Sequence, residues 1–178
     1  MGGDPRGLSR ADRHRPAAGH AVHAPDLFEG RVFADVHDGV AYAQAVGEDV
    51  LAERAAEAAA ALPAGIAYLG MSLGCALATG LLLDRPGALG AVYLYGAVTP
   101  AWWGRDWPEE MPSQAHVAVH DEWREPEAEE AYAALPGAEL FRYEEGGHLF
   151  AEQGHPDYAA GSARLATERV LAFLNRLA

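Results

Sequence analysis

The chain has 178 residues, half of them hydrophobic, and a formal net charge of −13. That length suits one domain with a real core, and the composition is globular rather than disordered. The charge speaks against a nucleic-acid or anionic-membrane partner, since both call for a basic surface. No apolar run reaches the roughly 18 residues of a membrane-spanning helix.

The N-terminal stretch MGGDPRGLSRADRHRP is basic but lacks the apolar core of a signal peptide. Residues 1–18 read as an irregular segment with room for one short helix, and residues 19–178 as one α/β domain. Cys75 is the only cysteine, so no internal disulfide can form and a cytoplasmic protein is the simple expectation. HAVHA (20–24) reads as a short strand stopped by Pro25. Residues 35–46 and 48–62 read as helices ended by Gly47 and Pro63. GIAYLG (65–70) is a buried strand, and 73–83 a helix closed by the turn Asp84-Arg85-Pro86-Gly87. AVYLYG (91–96) is a third strand, followed by a Trp/Pro-rich loop over 99–113 and a fourth strand, AHVAVH (115–120). A helix near 126–135 precedes a fifth strand, ELFRYE (139–144). In the last helix, about 162–177, Ala166, Val170, Phe173, Leu174 and Leu177 form an apolar stripe at helical spacing. Strands alternating with helices predict a mostly parallel sheet covered on both faces.

Ligands of such sheets gather at the carboxyl ends of the strands. Gly70-Met71-Ser72-Leu73-Gly74 lies there, between a strand and a helix. A strand–turn–helix Gly-x-Ser-x-Gly exposes a serine hydroxyl at a helix N-terminus, where the Leu73 N–H can stabilise an oxyanion. The hydroxyl also needs a base held by a carboxylate. His148, in EEGGHLF after the last strand, is the base candidate among eight histidines. The loop DEWREPE after the fourth strand offers Asp121, Glu122 and Glu125 as the acid. The order serine, acid, histidine is that of α/β-hydrolases. Asp26 reads as the cap of a turn, and Glu29 and Arg31 as residues of a solvated loop. Trp102, Trp103 and Trp123 either wall an apolar substrate pocket or cover the sheet end. No spaced Cys/His set or phosphate-cradling loop is present, so neither a metal nor an organic cofactor is expected.

GHAVHAPDLFEGRVFADVHDGVAYAQAVG (19–47), YLGMSLGCALA (68–78), VAVHDEWREPE (117–127) and GGHLFAEQGHPDYAAGSARLATERVLAFLNRL (146–177) together resemble the dienelactone hydrolase family of α/β-hydrolases. The likeness spans about nine-tenths of the chain. It implies hydrolysis of small esters or lactones, with dienelactone, a carboxymethylenebutenolide, as the name substrate. It also implies Ser72 as nucleophile, His148 as base and Asp121 as acid, because Asp121 is followed by Trp123 and Pro126 much as the family's aspartate is followed by an aromatic residue and a proline. Glu125 is the fallback acid.

Two departures stand out. The best-known members carry cysteine where this chain has Ser72, with Cys75 one helical turn later; Cys75 reads as a small buried residue beneath the turn, and a serine broadens the substrates to ordinary esters. The family also begins with apolar strands, one of which leads into the loop giving the second oxyanion N–H. Here only Gly7-Leu8 resembles that loop, which makes Leu8 the expected second donor. The chain therefore reads as N-terminally truncated. Three outcomes are compatible with this: direct closure of the sheet, a partner chain filling the gap, or a natural product that starts further upstream; a homo-oligomer is also compatible with the chain. An inactive hydrolase-like domain with a binding role is the alternative function, and thioester hydrolysis or acyl transfer a related one.

Overall fold

The computed structural model describes residues 19–177. They fall into two compact units, which meet in sequence between Pro63 and Ala64.

The first unit carries α1 (Val36–Val46) and α2 (Glu48–Ala60). Asp35 caps α1, its carboxylate accepting the His37 N–H at 2.7 Å. Gly47, at φ 96°, closes α1 and opens α2 in a single residue, and Glu48 and Asp49 meet the dipole of α2's first turn. Leu51, Ala55 and Ala59, four residues apart, form the buried stripe of α2. Phe28, Phe33 and Tyr42 cluster at centroid distances of 5.2–6.1 Å, and the Arg31 guanidinium lies over the Tyr42 ring. Asp26 caps a turn, as expected, accepting from the N–H groups of Phe28 and Gly30. Arg54 pairs with Glu29 and donates to the Leu27 carbonyl.

The strand expected at 20–24 does not form; these residues run as irregular, largely exposed backbone. Five residues ending at a proline offer too few ladder bonds to hold a strand without a neighbour, and no neighbour pairs with them among the described residues.

The second unit is a four-stranded parallel sheet in the order β1-β2-β3-β4: β1 Ala67–Met71, β2 Gly90–Leu94, β3 Ser113–Ala118 and β4 Ala138–Tyr143. The strands alternate with α3 (Leu73–Asp84), a 3-10 turn (Pro100–Trp103) with α4 (Pro126–Ala133) further along, and α5 (Ala160–Leu177) after the last. Every residue of β3 is buried, Ser113, Gln114 and His116 included, as befits an inner strand of a parallel sheet. One core cluster gathers Tyr68, Cys75, Leu82, Tyr93, Val98 and Tyr132. A second gathers Tyr95, Ala118, Tyr143, Phe150 and Ala166. In α5 the buried positions are Ser162, Ala163, Ala166 and Phe173, while Val170, Leu174 and Leu177 of the expected stripe are half-buried. No helix among the described residues is long and apolar enough to cross a membrane.

Two buried polar groups of this unit differ in how they are satisfied. Burial alone would raise the Glu129 carboxyl, but hydrogen bonds from Arg124 and Arg142 outweigh it and hold that carboxyl below its usual range. His116, fully buried in β3, meets the Tyr143 hydroxyl at 2.8 Å and stacks on Phe141. Burial first, and Arg169 second, lower its pKa from 6.5 to about 4. The native state therefore holds His116 neutral, and the unfolded chain takes up the proton first. Its contribution to stability is complete above about pH 6.5 and is lost as pH falls toward 4. At pH 5 this loss is on the order of 2 kcal/mol. Urea unfolding at pH 7.5 and pH 5 should show the wild type losing about that much more than His116→Gln; equal losses would remove His116 as the cause.

Candidate active site

Because all four strands run parallel, their carboxyl ends share one edge of the sheet. Ser72 follows β1, Tyr95 follows β2, Asp121 lies three residues past β3 and His148 five past β4. Ser72 is the single residue between β1 and α3, and it makes that turn at φ 51°, ψ −121°. Such a conformation costs a non-glycine residue about 1–3 kcal/mol. It is held by the Ser72 N–H donating to the Leu94 carbonyl at 2.9 Å and by the Cys75 N–H donating to the Ser72 carbonyl at 2.8 Å. Of the flanking glycines only Gly70 is demanded by space: a Cβ there would strike the Gly74 carbonyl and come within 2.6 Å of the Cys75 Cα. A Cβ on Gly74 would meet nothing.

Cys75 packs beneath the turn, its thiol donating to the Leu94 carbonyl at 3.4 Å. Burial pushes its pKa up to about 12, so it stays a protonated thiol.

His148 Nε2 lies 2.8 Å from Ser72 Oγ, and Nδ1 lies 2.7 Å from Asp121 Oδ2. A carboxylate only accepts, so Nδ1 carries the proton and Nε2 presents its lone pair to the hydroxyl. The other Asp121 oxygen accepts the Trp123 N–H at 2.7 Å. Asp121 and His148 are both buried, in contrast with the half-exposed serine. The acid loop is fastened from behind: Arg124 donates to the Val119 carbonyl and pairs with the buried Glu129.

The histidine loop is folded on itself. Gly146, at φ 93°, has no room for a Cβ, which would come 2.6 Å from that of Phe150. Gly147 lies flat against the Asp157 carboxylate, whose Oδ2 accepts the Leu149 N–H at 3.2 Å. Tyr95, also in the left-handed region at φ 66°, donates its hydroxyl to Glu152 at 2.8 Å, and its ring lies 5.9 Å from that of His148. Little in the residue pattern announces these supports. Asp157 is one residue among many in the stretch 146–177, and Tyr95 looks like the last core residue of an apolar run.

Ser72, Asp121 and His148 are thus brought into one hydrogen-bonded chain, with Leu73 opening α3 beside the serine. Leu8 lies outside the described residues. Glu125 stands at the N-terminus of α4, four residues past the carboxylate that meets the imidazole. The three tryptophans separate: Trp123 lies 6.0 Å from the His148 ring, Trp103 packs on the core with its indole toward Gly80, and Trp102 is half exposed in the 3-10 turn.

The family model of the dienelactone hydrolases matches residues 11–178. Among solved structures, that of m3DLH superposes with a TM-score of 0.68 at 18% identity, covering 89% of this chain and 75% of the other. A dienelactone hydrolase-like promiscuous phosphotriesterase from metagenomic libraries superposes with a TM-score of 0.65 at 19% identity, covering 88% and 74%. At such identities these likenesses carry the fold alone. No curated protein matches the chain.

Proposed function

The chain belongs to the dienelactone hydrolase family and is a hydrolase, and from that premise we propose that it cleaves small carboxylic esters or lactones with Ser72 as nucleophile. The observation that carries this reading is the continuous hydrogen-bond chain Ser72–His148–Asp121.

In the proposed reaction His148 Nε2 takes the Ser72 proton as Oγ bonds to the substrate carbonyl carbon. The imidazolium that forms is matched by the Asp121 carboxylate on its far side. The oxyanion rests on the Leu73 N–H, where the first turn of α3 leaves donors unused by the helix and its dipole favours negative charge. Leu8 is the proposed second donor. The tetrahedral intermediate collapses by breaking the bond to the alcohol oxygen, which leaves with the proton from Nε2, and an acyl-serine remains. Water then gives a proton to Nε2 as it attacks the acyl carbon, and the second tetrahedral intermediate breaks its bond to Ser72 Oγ, which takes that proton back and frees the acid. The strained turn at Ser72 serves this chemistry, because it lifts Oγ clear of the helix that supplies the oxyanion donor.

An alkyl fluorophosphonate probe tests the reading directly. Folded protein is expected to take up one phosphonyl group at Ser72, with loss of p-nitrophenyl acetate cleavage in step. Folded protein that stays unlabelled, or is labelled elsewhere, would overturn it.

A further inference from the structure

An open recess of about 570 Å³ lies between the loop after β2 and the N-terminus of α4, lined by Thr99, Trp102, Glu125, Pro126, Glu127 and Ala128. It adjoins the loop whose Asp121 and Trp123 touch His148, and that loop runs directly into Glu125 and Pro126. We propose that this recess seats the substrate's larger side group and admits neutral or cationic groups while rejecting anionic ones. The proposal deepens the reading of Ser72 as an esterase nucleophile and rests on it.

Trp102 and Pro126 give the recess an apolar wall, and Trp102 leaves 52% of its surface open to a ligand. The charges decide what kind of ligand. A helix N-terminus offers roughly half a positive charge to an anion. Against it stand the two carboxylates of Glu125 and Glu127, one charge each, so the balance at the mouth of α4 is negative. The two further acids of that helix do not add to it, because Glu129 is neutralised by Arg124 and Arg142, and Glu130 by Arg142.

Among the described residues, the arginines of the two loops that border the recess are both engaged. The chain contains no lysine. Arg124, the arginine nearest in sequence to the recess wall, is held by Glu129 and the Val119 carbonyl. Arg105, in the loop that carries Trp102, is held by Asp84 and the Leu83 carbonyl. An anionic group would meet repulsion from Glu125 and Glu127, whereas a cationic one would find two carboxylates and an indole face. By this account the carboxylate-bearing lactone for which the family is named is a disfavoured substrate.

The test compares matched esters. Two p-nitrophenyl-type series carry a neutral, carboxylate or trimethylammonium end, one on the acyl chain and one on the alcohol. In at least one series kcat/KM for the neutral ester should exceed that for the carboxylate by tenfold or more. That ratio should shrink severalfold at 1 M salt, where screening acts over about 3 Å. It should shrink similarly in Glu125→Gln/Glu127→Gln, and in Glu127→Gln alone if the double variant shows a disturbed circular dichroism spectrum. Discrimination below threefold in both series, or discrimination untouched by salt and by folded variants, would overturn the recess assignment. If Ser72 is labelled and the neutral esters are cleaved, such a result counts against the recess alone; if no ester is cleaved and Ser72 stays unlabelled, the esterase reading itself fails.

Discussion

Ser72→Ala is expected to lower kcat/KM for a neutral ester by at least about 10⁴-fold while leaving the fold in place. The size follows from the mechanism: without Oγ no acyl-serine can form, and what survives is the oxyanion donor and binding, acting on water alone. Stability should change little. Alanine pays the same strain as serine at φ 51°, and the backbone bonds that hold the turn, from the Ser72 N–H and to its carbonyl, do not involve the side chain. The lost hydrogen bond leaves His148 Nε2 facing the half-exposed side of the site, where water can replace it. The melting temperature should therefore stay within a few degrees of wild type. More than a hundredth of the activity remaining in folded Ser72→Ala would show that another group does the chemistry. Cys75 is a poor substitute, because its thiol is buried and remains protonated.

Most of the second unit could be read from the chain. Gly47 and Pro63 punctuate the helices before it, Pro126 opens α4 where a missing N–H costs nothing, and short stretches of five or six residues between turn signals mark the strands, apolar throughout in β1 and β2 and mixed with polar residues in β3 and β4. These signals are local and therefore legible in the chain. HAVHA has the same local look, yet a strand exists only through a partner, and pairing is not written in five residues. The tryptophans show a similar limit. Trp102 and Trp103 are adjacent and equally apolar, but a 3-10 turn rotates successive side chains by about a third of a circle, which sends one to solvent and the other to the core. Tyr95 was missed for a backbone reason: its positive φ turns the ring toward His148, and nothing in its residue type announces that angle. Asp121, Glu122 and Glu125 in DEWREPE are equivalent by charge, and what separates them is where the chain turns. The Asp121 N–H donates to the Ala118 carbonyl immediately past β3, and that bend brings its side chain, not that of Glu125, within 2.7 Å of the imidazole.

Asp121→Asn should lower kcat by about 10³ to 10⁴-fold, and Glu122→Gln, a change at an exposed neighbour, by less than threefold. The aspartate accepts two N–H groups at once, from His148 Nδ1 on one oxygen and from the Trp123 backbone on the other. An asparagine has one oxygen to offer. If that oxygen keeps the Trp123 N–H, the amide NH₂ faces Nδ1 and makes it an acceptor, which places the imidazole proton on Nε2 and blocks its action as base toward Ser72. If the oxygen keeps Nδ1, the NH₂ confronts the Trp123 N–H, and the part-buried bond that holds the loop is lost at a cost of about 1 kcal/mol. The first arrangement ruins the rate and the second loosens the loop that carries Trp123. Both also remove the negative charge that matches the imidazolium. Kinetics and urea unfolding on the same protein distinguish them: a folded variant of nearly wild-type stability with a collapsed kcat reports the wrong tautomer, while a destabilised variant with partial activity reports the broken loop. An Asp121→Asn protein with undiminished stability and undiminished kcat would move the role of acid elsewhere, and Glu125 would be the next carboxylate to replace.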